Sequence, residues 1–441
     1  MLHKNWLSSI SEAKKNYLCL HSIKFTCMIH FSRFTLANGL RFLVHEDAAT
    51  PMAVLNILYD VGARDEDPEK TGFAHLFEHL MFGGSVHIPQ FDTPLQRVGG
   101  ENNAFTSNDI TNYYISLPAV NLETAFWLES DRMLSLAFSE KSLETQRQVV
   151  SEEFKQRYLN QPYGDVWLKL RPLAYQVHPY QWATIGKELA HIEDASMTDV
   201  KAFFHKHYLP TNAIVVVAGN VKVEEVKLLA EKWFGPIPFA PKPDRLLPAE
   251  PEQISARRQI VQADVPLKSL YIAFHIPGRL DPAYYTIDLI TDLFSRGQSS
   301  RLYRHLVKDL GIFTEIHAYQ LGSLDPGLFV IEGKPAPQVP LEDAEAAIWQ
   351  ELESLKSELV PDEELQKVKN KIESTLIFSQ MNIMEKAMSL AFYELLGDGS
   401  QINQEAGHYL AVSNASIQEQ ARQIFRKENS STLIYLPLQH A

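Results

Sequence analysis

Two stretches of the sequence follow the same order of predicted elements, and this repetition constrains the fold more than any other feature. In the first stretch, residues 55–59 form a short apolar run that predicts a strand, followed by a turn and an apolar helical pattern. In the second stretch, residues 270–274 predict a strand that leads through a turn into a helix at residues 285–294. The chain therefore looks like two copies of one unit.

The two copies also end alike. Each finishes with a helix that runs into a strand, at residues 195–207 and 213–218 in the first copy and at residues 415–427 and 432–436 in the second. Between the copies lies a proline-dense stretch that is typical of an extended linker.

Short strands alternate with amphipathic helices such as residues 122–137, and Asn38-Gly39 is a strong hairpin signal. We predict an α+β fold of two homologous halves, each an antiparallel sheet covered by helices, joined by the Pro-rich linker into a clamshell. The predicted ranges are an N-terminal extension, a first domain, a linker and a second domain, at residues 1–27, 28–236, 237–258 and 259–441.

Composition is that of a globular protein. A length of 441 residues allows two or three domains, and 45% hydrophobic residues are enough for buried cores. No stretch is long and apolar enough to predict a membrane span. The net charge of −13 argues against nucleic acid as a partner and is compatible with basic or neutral peptides.

Residues 1–27 contain lysines but neither arginine nor the apolar run of a signal peptide. Met28 is therefore a plausible start, and the preceding residues are interpreted as a gene-start artefact or a disordered extension. We expect a cytoplasmic protein and leave the periplasm open. Both cysteines, Cys19 and Cys27, lie in this extension, so the rest of the chain needs no disulfide.

An H-x-x-E-H pattern at His75, Glu78 and His79 carries the chemistry. Its flanks are apolar and free of proline, which predicts a helix. Residues four apart share a helix face, so both imidazoles can reach one metal ion while Glu78 stands beside it as a proton acceptor. This is the inverted form of the zinc-protease signature.

A catalytic zinc ion needs a third protein ligand and one open position for water. A helical segment at residues 142–157 offers three carboxylates, Glu144, Glu152 and Glu153. Periodicity does not choose among them, because Glu152 and Glu153 both flank the apolar Val149 and Val150.

The sequence resembles the pitrilysin family of zinc metallopeptidases, close to the mitochondrial processing peptidase beta subunit and its bacterial zinc-bearing relatives. The resemblance is carried by the zinc motif, by Gly-Gly-Glu-Asn-Asn-Ala-Phe-Thr-Ser at residues 99–107 and by further stretches near residues 178–186 and 213–220. In that family the third ligand follows a Val-Val pair, which makes Glu152 the predicted ligand beside His75 and His79.

The resemblance implies a metalloendopeptidase with one Zn²⁺ per chain that hydrolyses unfolded peptides or extended protein segments. Glu78 is the predicted general base on a zinc-bound water. Asn103, Ala104 and Phe105 are the predicted substrate-binding residues, on a strand that pairs with the peptide by edge addition.

A difference from the family predicts a partner chain. Self-sufficient members carry an Arg and, seven residues later, a Tyr in the second half, but the matching positions here fall near Val307 and Thr314, so the pair is missing. The second copy also carries Asp288, Thr291 and Asp292 at the positions of the zinc motif, a poor zinc site. We therefore expect the catalytic subunit of a heterodimer, whose zinc-less homologous partner supplies the Arg/Tyr pair.

Two alternatives stay open. One is a non-catalytic scaffold subunit, whose expected mark is a damaged metal motif. The other is a maturation protease dedicated to one small peptide.

Overall fold

The strands of the chain are divided between two sheets, one in each half of the sequence. A computed structural model describes residues 28–438, so the predicted extension at residues 1–27 lies outside the described residues. The first sheet consists of β1 Ser32–Thr35, β2 Arg41–Glu46, β3 Met52–Tyr59, β4 Glu101–Thr106, β5 Thr111–Pro118 and β6 Ala213–Gly219. The second consists of β7 Arg257–Ala263, β8 Ser269–Ile276, β9 Phe313–Leu321, β10 Gly327–Pro335 and β11 Ser430–Pro437.

The strand orders show that the two sheets are copies of one arrangement. The first sheet runs β1-β2-β6-β3-β5-β4 and the second runs β7-β11-β8-β10-β9. Apart from the additional β1, each strand of the first sheet has a counterpart in the second. This agrees with the duplication predicted from the sequence and with the predicted α+β class.

Each sheet is mixed rather than wholly antiparallel. The pairs β2–β6 and β7–β11 are parallel, and the other neighbours are antiparallel. Parallel neighbours need a long crossover connection, and in both halves the last strand returns after several helices to lie beside the first long one. Local hairpin signals do not reveal such a distant pairing.

The helices surround these sheets. The α-helices of the described residues are α1 Phe73–Leu80, α2 Asp92–Arg97, α3 Leu122–Leu134, α4 Glu140–Phe154, α5 Val166–Ala174, α6 Ala190–Glu193, α7 Met197–His207, α8 Val223–Trp233, α9 Ala283–Ser295, α10 Leu341–Ser357, α11 Asp362–Ser379, α12 Ile383–Leu395, α13 Glu405–Ala411 and α14 Asn414–Ile424. Two π-helical turns follow, at Lys155–Leu159 after α4 and at Tyr303–Asp309. None of these helices is both long and apolar enough to cross a membrane.

Helix ends follow local chemistry. Helix α7 begins after Ser196, whose hydroxyl accepts the N–H of Asp199 while the Asp199 side chain accepts the N–H of Ser196, a capping box. Helix α3 ends at Leu134, three residues before its predicted end, because the following residues form a bridge between Leu136 and Ser85. Over residues 28–438, the chain between Trp233 and Arg257 contains no helix or strand, where the linker is predicted.

One helix from each half packs against the sheet of the other half. Helix α12, from the second half, packs across β3 and β6 of the first sheet. Helix α5, from the first half, buries Val166 and Leu170 against Leu433 and Tyr435 of the second sheet. The first sheet is therefore buried on both faces, since α1 and its neighbouring helices cover the opposite side of β3.

Candidate active site

Helix α1 carries the H-x-x-E-H pattern and is fixed by its apolar face. Phe73, Leu76, Phe77 and Leu80 are buried in the core of the first half. Burying side chains of this size contributes about 1.5–3 kcal/mol each. The remaining face of α1 points away from the core, which leaves its histidines half-buried and open to a ligand.

The beginning of α1 is capped by a distant carboxylate. Glu66 accepts the N–H groups of Gly72 and Ala74, both at 2.8 Å, and so satisfies two donors that a helix start leaves free. Burial raises the pKa of Glu66, and the two N–H donors oppose that shift. Gly72 has φ +88°, and a Cβ there would lie 2.6 Å from the carbonyl oxygen of Ile185. Glycine at this position therefore fixes how the chain enters the helix.

His75 and His79 converge with one carboxylate from helix α4. Nε2 of His75 lies 3.8 Å from Oε2 of Glu153, and Nε2 of His79 lies 3.6 Å from the same oxygen. The two imidazole rings are perpendicular, with centroids 4.9 Å apart. Within residues 28–438, these three side chains are the only group of His, Cys, Asp or Glu donors whose spacing suits a metal ion.

The predicted ligand Glu152 does not lie at this cluster. Its side chain is 62% exposed and accepts a hydrogen bond from the Lys155 ammonium at 3.0 Å. The third alternative, Glu144, is also exposed and pairs with Arg147. Of the three candidate carboxylates, the structure brings only Glu153 to His75 and His79.

The rotation of α4 explains the difference between Glu152 and Glu153. Val150 and Phe154 are buried, whereas Val149 is 44% exposed. Because successive helix positions differ by about 100°, a helix that buries Val150 and Phe154 turns Glu153 inward and Glu152 toward solvent. The sequence contains both valines side by side and does not say which one is buried.

Glu153 also contacts a cation through its second oxygen. Nη1 of Arg157 lies 2.9 Å from Oε1 of Glu153, which leaves Oε2 directed at the histidines. Contact with His79 lowers the pKa of Glu153, and Arg157 acts in the same direction. Burial lowers the pKa of His75. The cluster therefore consists of a neutral imidazole at His75 and an ionised carboxylate, the protonation states that metal ligands require.

Glu78 lies beside the cluster and is held from the neighbouring sheet. Thr106, the last residue of β4, donates its hydroxyl to Oε2 of Glu78 at 2.7 Å. Burial raises the pKa of Glu78, and the hydrogen bond from Thr106 opposes that rise. Glu78 is therefore a carboxylate outside the three-residue donor group with one oxygen already occupied.

The predicted substrate-binding residues lie on the last strand of the first sheet. Strand β4 pairs with β5 on one side only, so its other edge has no neighbouring strand among the described residues. Asn103 and Phe105 are exposed, while Ala104 is half-buried on the alternate face. The carboxamide oxygen of Asn103 accepts the N–H of Ala104 at 2.8 Å. The edge position agrees with strand addition, and the binding role stays a prediction.

The counterpart of α1 in the second half is α9, and we call it the closed helix because its polar side chains contact other groups of the protein. Tyr409 donates its hydroxyl to Asp288 at 2.7 Å, and Arg296 lies 3.0 Å from Asp292. Thr291 donates its hydroxyl to the carbonyl of Ile287 within the same helix. These side chains form no metal-binding group within residues 28–438.

Val307 and Thr314, at the positions of the family's Arg/Tyr pair, have structural contacts. Val307 packs against the core of the second half. Thr314 lies on β9, the edge strand of the second sheet, and donates its hydroxyl to the carbonyl of Lys334. Neither side chain offers the charge or the phenol that the pair supplies.

Comparisons with known proteins identify the family of the chain. The family model described as insulinase (peptidase family M16) matches residues 41–185, and the model described as peptidase M16 inactive domain matches residues 194–372. The chain belongs to the M16 peptidase family, the insulinase and pitrilysin family predicted from the sequence.

The matched relatives include named zinc proteases. The chain is 29% identical to the zinc protease PqqE of Helicobacter pylori over 411 residues, which cover 91% of this chain and 92% of that protein. It is 26% identical to the probable mitochondrial-processing peptidase subunit beta of Arabidopsis thaliana over 355 residues, 78% of this chain and 66% of that one. The crystal structure of a protease from Helicobacter pylori matches with a TM-score of 0.87 at 28% identity and covers 93% of this chain and 100% of that chain.

Sequence analysis missed three residues that the structure brings to the site, Glu66, Thr106 and Arg157. It named Glu153 among three candidate carboxylates but did not choose it. Arg157 had a usable signal, because it follows Glu153 by four residues on a predicted helix. Thr106 had none, since its bond to Glu78 joins elements that only the folded sheet brings together.

Proposed function

We propose that this chain is a zinc-dependent metalloendopeptidase that hydrolyses unfolded peptides or extended protein segments. One observation carries the proposal. His75 and His79 converge on Oε2 of Glu153, and a separate carboxylate, Glu78, lies beside them on the same helix. Two imidazoles and one carboxylate are the ligand set of many hydrolytic zinc sites, in which a fourth position stays open.

The spacing of the donors fits zinc. Ligands about 2.1 Å from a tetrahedral ion lie about 3.4 Å from one another. The two distances from histidine nitrogen to glutamate oxygen, 3.8 and 3.6 Å, need only small side-chain movements to reach that value. His75, His79 and Glu153 would hold one zinc ion per chain. When bound, zinc supplies a Lewis acid that acidifies water and polarises a peptide carbonyl.

Glu78 is the proposed general base. Thr106 holds its carboxylate through Oε2, and this carboxylate takes the proton of the attacking water. Partial burial raises the pKa of Glu78 and so favours its acceptance of a proton at that moment. The same carboxyl then delivers the proton to the leaving amine of the cleaved peptide bond.

The proposed substrate is a chain in extended conformation. Strand β4 is an edge strand that is joined to the general base through Thr106 and carries Asn103, Ala104 and Phe105. A peptide that pairs with β4 would be recognised mainly through its backbone. A folded segment offers no free backbone groups for such pairing, so we propose unfolded peptides as substrates.

The proposal includes a zinc-less homologous partner chain. Val307 and Thr314 supply neither a guanidinium nor a phenol, although the zinc ligands and the base are complete. Positioning of a substrate contributes several kcal/mol to catalysis. A partner that carries the Arg/Tyr pair would complete the site, which makes this chain the catalytic subunit of a heterodimer.

The experiment that tests the function replaces the base. Glu78→Gln keeps the shape of the side chain but cannot accept a proton, so cleavage of an unstructured peptide should fall about 10²–10⁴-fold. Zinc content, measured by metal analysis, should stay at the wild-type level. Glu224→Gln is the matched control, because Glu224 is exposed on α8 and pairs with Lys227. Normal turnover in Glu78→Gln would eliminate Glu78 as the base.

A second assay separates the alternatives. The wild-type chain is incubated with a mixed peptide library, alone and with the co-expressed zinc-less homologue. Cleavage that rises with the homologue supports the heterodimer, and full activity of the chain alone contradicts it. Cleavage of one peptide only favours a dedicated maturation protease. A zinc-loaded chain that cleaves nothing under either condition favours the scaffold, against which the complete donor set argues.

We propose the cytoplasm as the compartment. Both cysteines of the chain lie before residue 28, so the proposed site uses no thiol and no disulfide and works in a reducing compartment. Fractionation of the source cells tests this, and recovery with periplasmic markers would contradict it.

A further inference from the structure

The link between the edge strand and the general base runs through one residue. Thr106 ends β4, is half-buried and donates to Oε2 of Glu78 at 2.7 Å. Glu78 lies on α1, so this hydrogen bond joins the strand proposed to hold the peptide with the helix that carries the histidines. Thr106 holds the Glu78 carboxylate with its hydroxyl and also with its backbone N–H, and both contacts oppose the rise in the pKa of Glu78 that burial causes.

We infer that Thr106 is a positioning residue, whose hydroxyl holds Glu78 in the one rotamer that proton transfer requires. This inference rests on the proposed peptidase function. A glutamate side chain has three rotatable bonds, and fixing it costs conformational entropy that a charge-assisted hydrogen bond offsets. Without the hydroxyl, the Glu78 carboxylate samples other rotamers and is misplaced for part of the time.

The position of Thr106 in the sheet explains why this residue can do so. Thr106 is paired with Thr111 at the end of the β4–β5 ladder, so its backbone is fixed by the sheet. Thr111 in turn donates its hydroxyl to the carbonyl of Val61, a buried hydrogen bond. Because both sides of the ladder end are held, the hydroxyl of Thr106 has a rigid support, the condition that a positioning group requires.

Successive side chains of β4 lie on opposite faces of the strand, so one face can contact the base while the other stays open to a peptide. Asn103 and Phe105 are exposed, whereas Ala104 and Thr106 lie on the half-buried face. Thr106 therefore contacts the base while its neighbour Phe105 stays available to a peptide. A peptide that pairs with β4 further immobilises the strand, so the inference couples docking of the substrate to the orientation of the base.

The test compares two substitutions at one position. Thr106→Val preserves size and branching but removes the hydroxyl, and Thr106→Ser restores a hydroxyl with less bulk. We expect kcat of Thr106→Val to fall by about 10²-fold, the effect of misplacing a catalytic group by about 1 Å. KM should change less than about threefold and zinc content should not change, because neither backbone pairing nor the ligands are altered. Thr106→Ser should recover most of kcat.

A matched control uses the same change at the opposite edge of the same sheet. Thr35 is exposed on β1, so Thr35→Val should leave kcat, KM and zinc content at wild-type values. If Thr106→Val lowers activity only by raising KM, or if Thr106→Ser is as impaired as Thr106→Val, the hydroxyl does not position the base.

A structural readout separates this inference from the proposed function. Crystal structures of zinc-loaded wild type, Thr106→Ser and Thr106→Val should show one Glu78 rotamer in the first two and a displaced or divided side chain in the third. An unchanged Glu78 in Thr106→Val overturns the inference even if the enzyme is active. Conversely, a wild type that is inactive both alone and with the zinc-less homologue, together with a displaced Glu78 in Thr106→Val, defeats the peptidase proposal and leaves the positioning role standing.

Discussion

Helices α1 and α9 occupy equivalent positions in the two halves, but their polar side chains lie in different environments. In α1 the polar face is half-buried, and its two imidazoles converge on the Glu153 carboxylate of α4, with Glu78 beside them. In α9 the corresponding polar residues Asp288, Thr291 and Asp292 are buried. One helix keeps its polar groups available to a ligand, and the other buries them within the protein.

The difference lies in the neighbours that each helix meets. Asp288 receives the hydroxyl of Tyr409, and Asp292 has Arg296 on its own helix. Burial raises the pKa of Asp292, and the positive charge of Arg296 opposes that rise. A buried carboxylate without such partners costs several kcal/mol. The duplicated fold therefore fixes the position of the helix, while the surrounding side chains decide between a ligand site and a structural one.

The largest expected effect comes from removing a metal ligand on α1. His79→Ala removes one of three donors, and the remaining two do not hold a catalytic zinc ion firmly. We expect metal content to fall from about one zinc ion per chain to less than about a tenth of that, with loss of peptide cleavage. The measurement is metal analysis after dialysis against a weak chelator.

The matched change in the other helix is Asp288→Asn, which should leave zinc at the wild-type level. Zinc lost equally from both variants would mean that the two helices share one metal site. Full zinc in His79→Ala would remove His79 from the ligand set.

A second comparison within one helix tests the third ligand. Glu153→Gln should weaken zinc binding by more than about 100-fold, since losing even an outer contact to a ligand costs about 10–100-fold. Glu152→Gln should change zinc affinity less than about threefold, because its carboxylate is exposed and bound to Lys155. Competition with a chromophoric chelator measures both affinities. The opposite ranking would restore the ligand predicted from the family resemblance.

This pair of glutamates also marks the limit of what the sequence could predict. The α+β fold, the duplication and the convergence of His75 and His79 all follow from patterns with a fixed period, which local sequence contains. The rotation of α4 does not, because Val149 and Val150 are equally apolar and the core alone selects Val150. A choice between adjacent helix positions depends on packing partners far away in the chain.

The sequence could not predict two other features for a related reason. They are the parallel strand pairs and the contact from Thr106 to Glu78. Both join elements that lie far apart in sequence, and neither leaves a local signal in spacing or composition. Hairpin signals such as Asn38-Gly39 predict only neighbouring strands, and β1 and β2 do pair there. Long-range pairing of β2 with β6 follows from the topology of the whole half.

The smallest expected effect concerns the closed helix. Tyr409→Phe removes the hydroxyl that Asp288 accepts at 2.7 Å and leaves a buried carboxylate without that donor. Such a loss costs about 1–3 kcal/mol of the free energy of unfolding. Zinc content should not change, because the closed helix supports the second half and not the metal. Urea unfolding followed by circular dichroism measures the stability, and metal analysis measures the zinc.

The control for this prediction is Tyr303→Phe, which removes a hydroxyl from a partly exposed tyrosine and should alter the free energy of unfolding by less than about 0.5 kcal/mol. Equal stability of both variants would mean that the free energy of unfolding does not depend on the hydrogen bond from Tyr409 to Asp288. The carboxyl group of Asp288 would then be satisfied in another way. A loss of zinc in Tyr409→Phe would instead connect the two helices energetically. The distinction between an open metal helix and a closed structural one would then fail, because a change confined to the second half would alter zinc binding at His75 and His79.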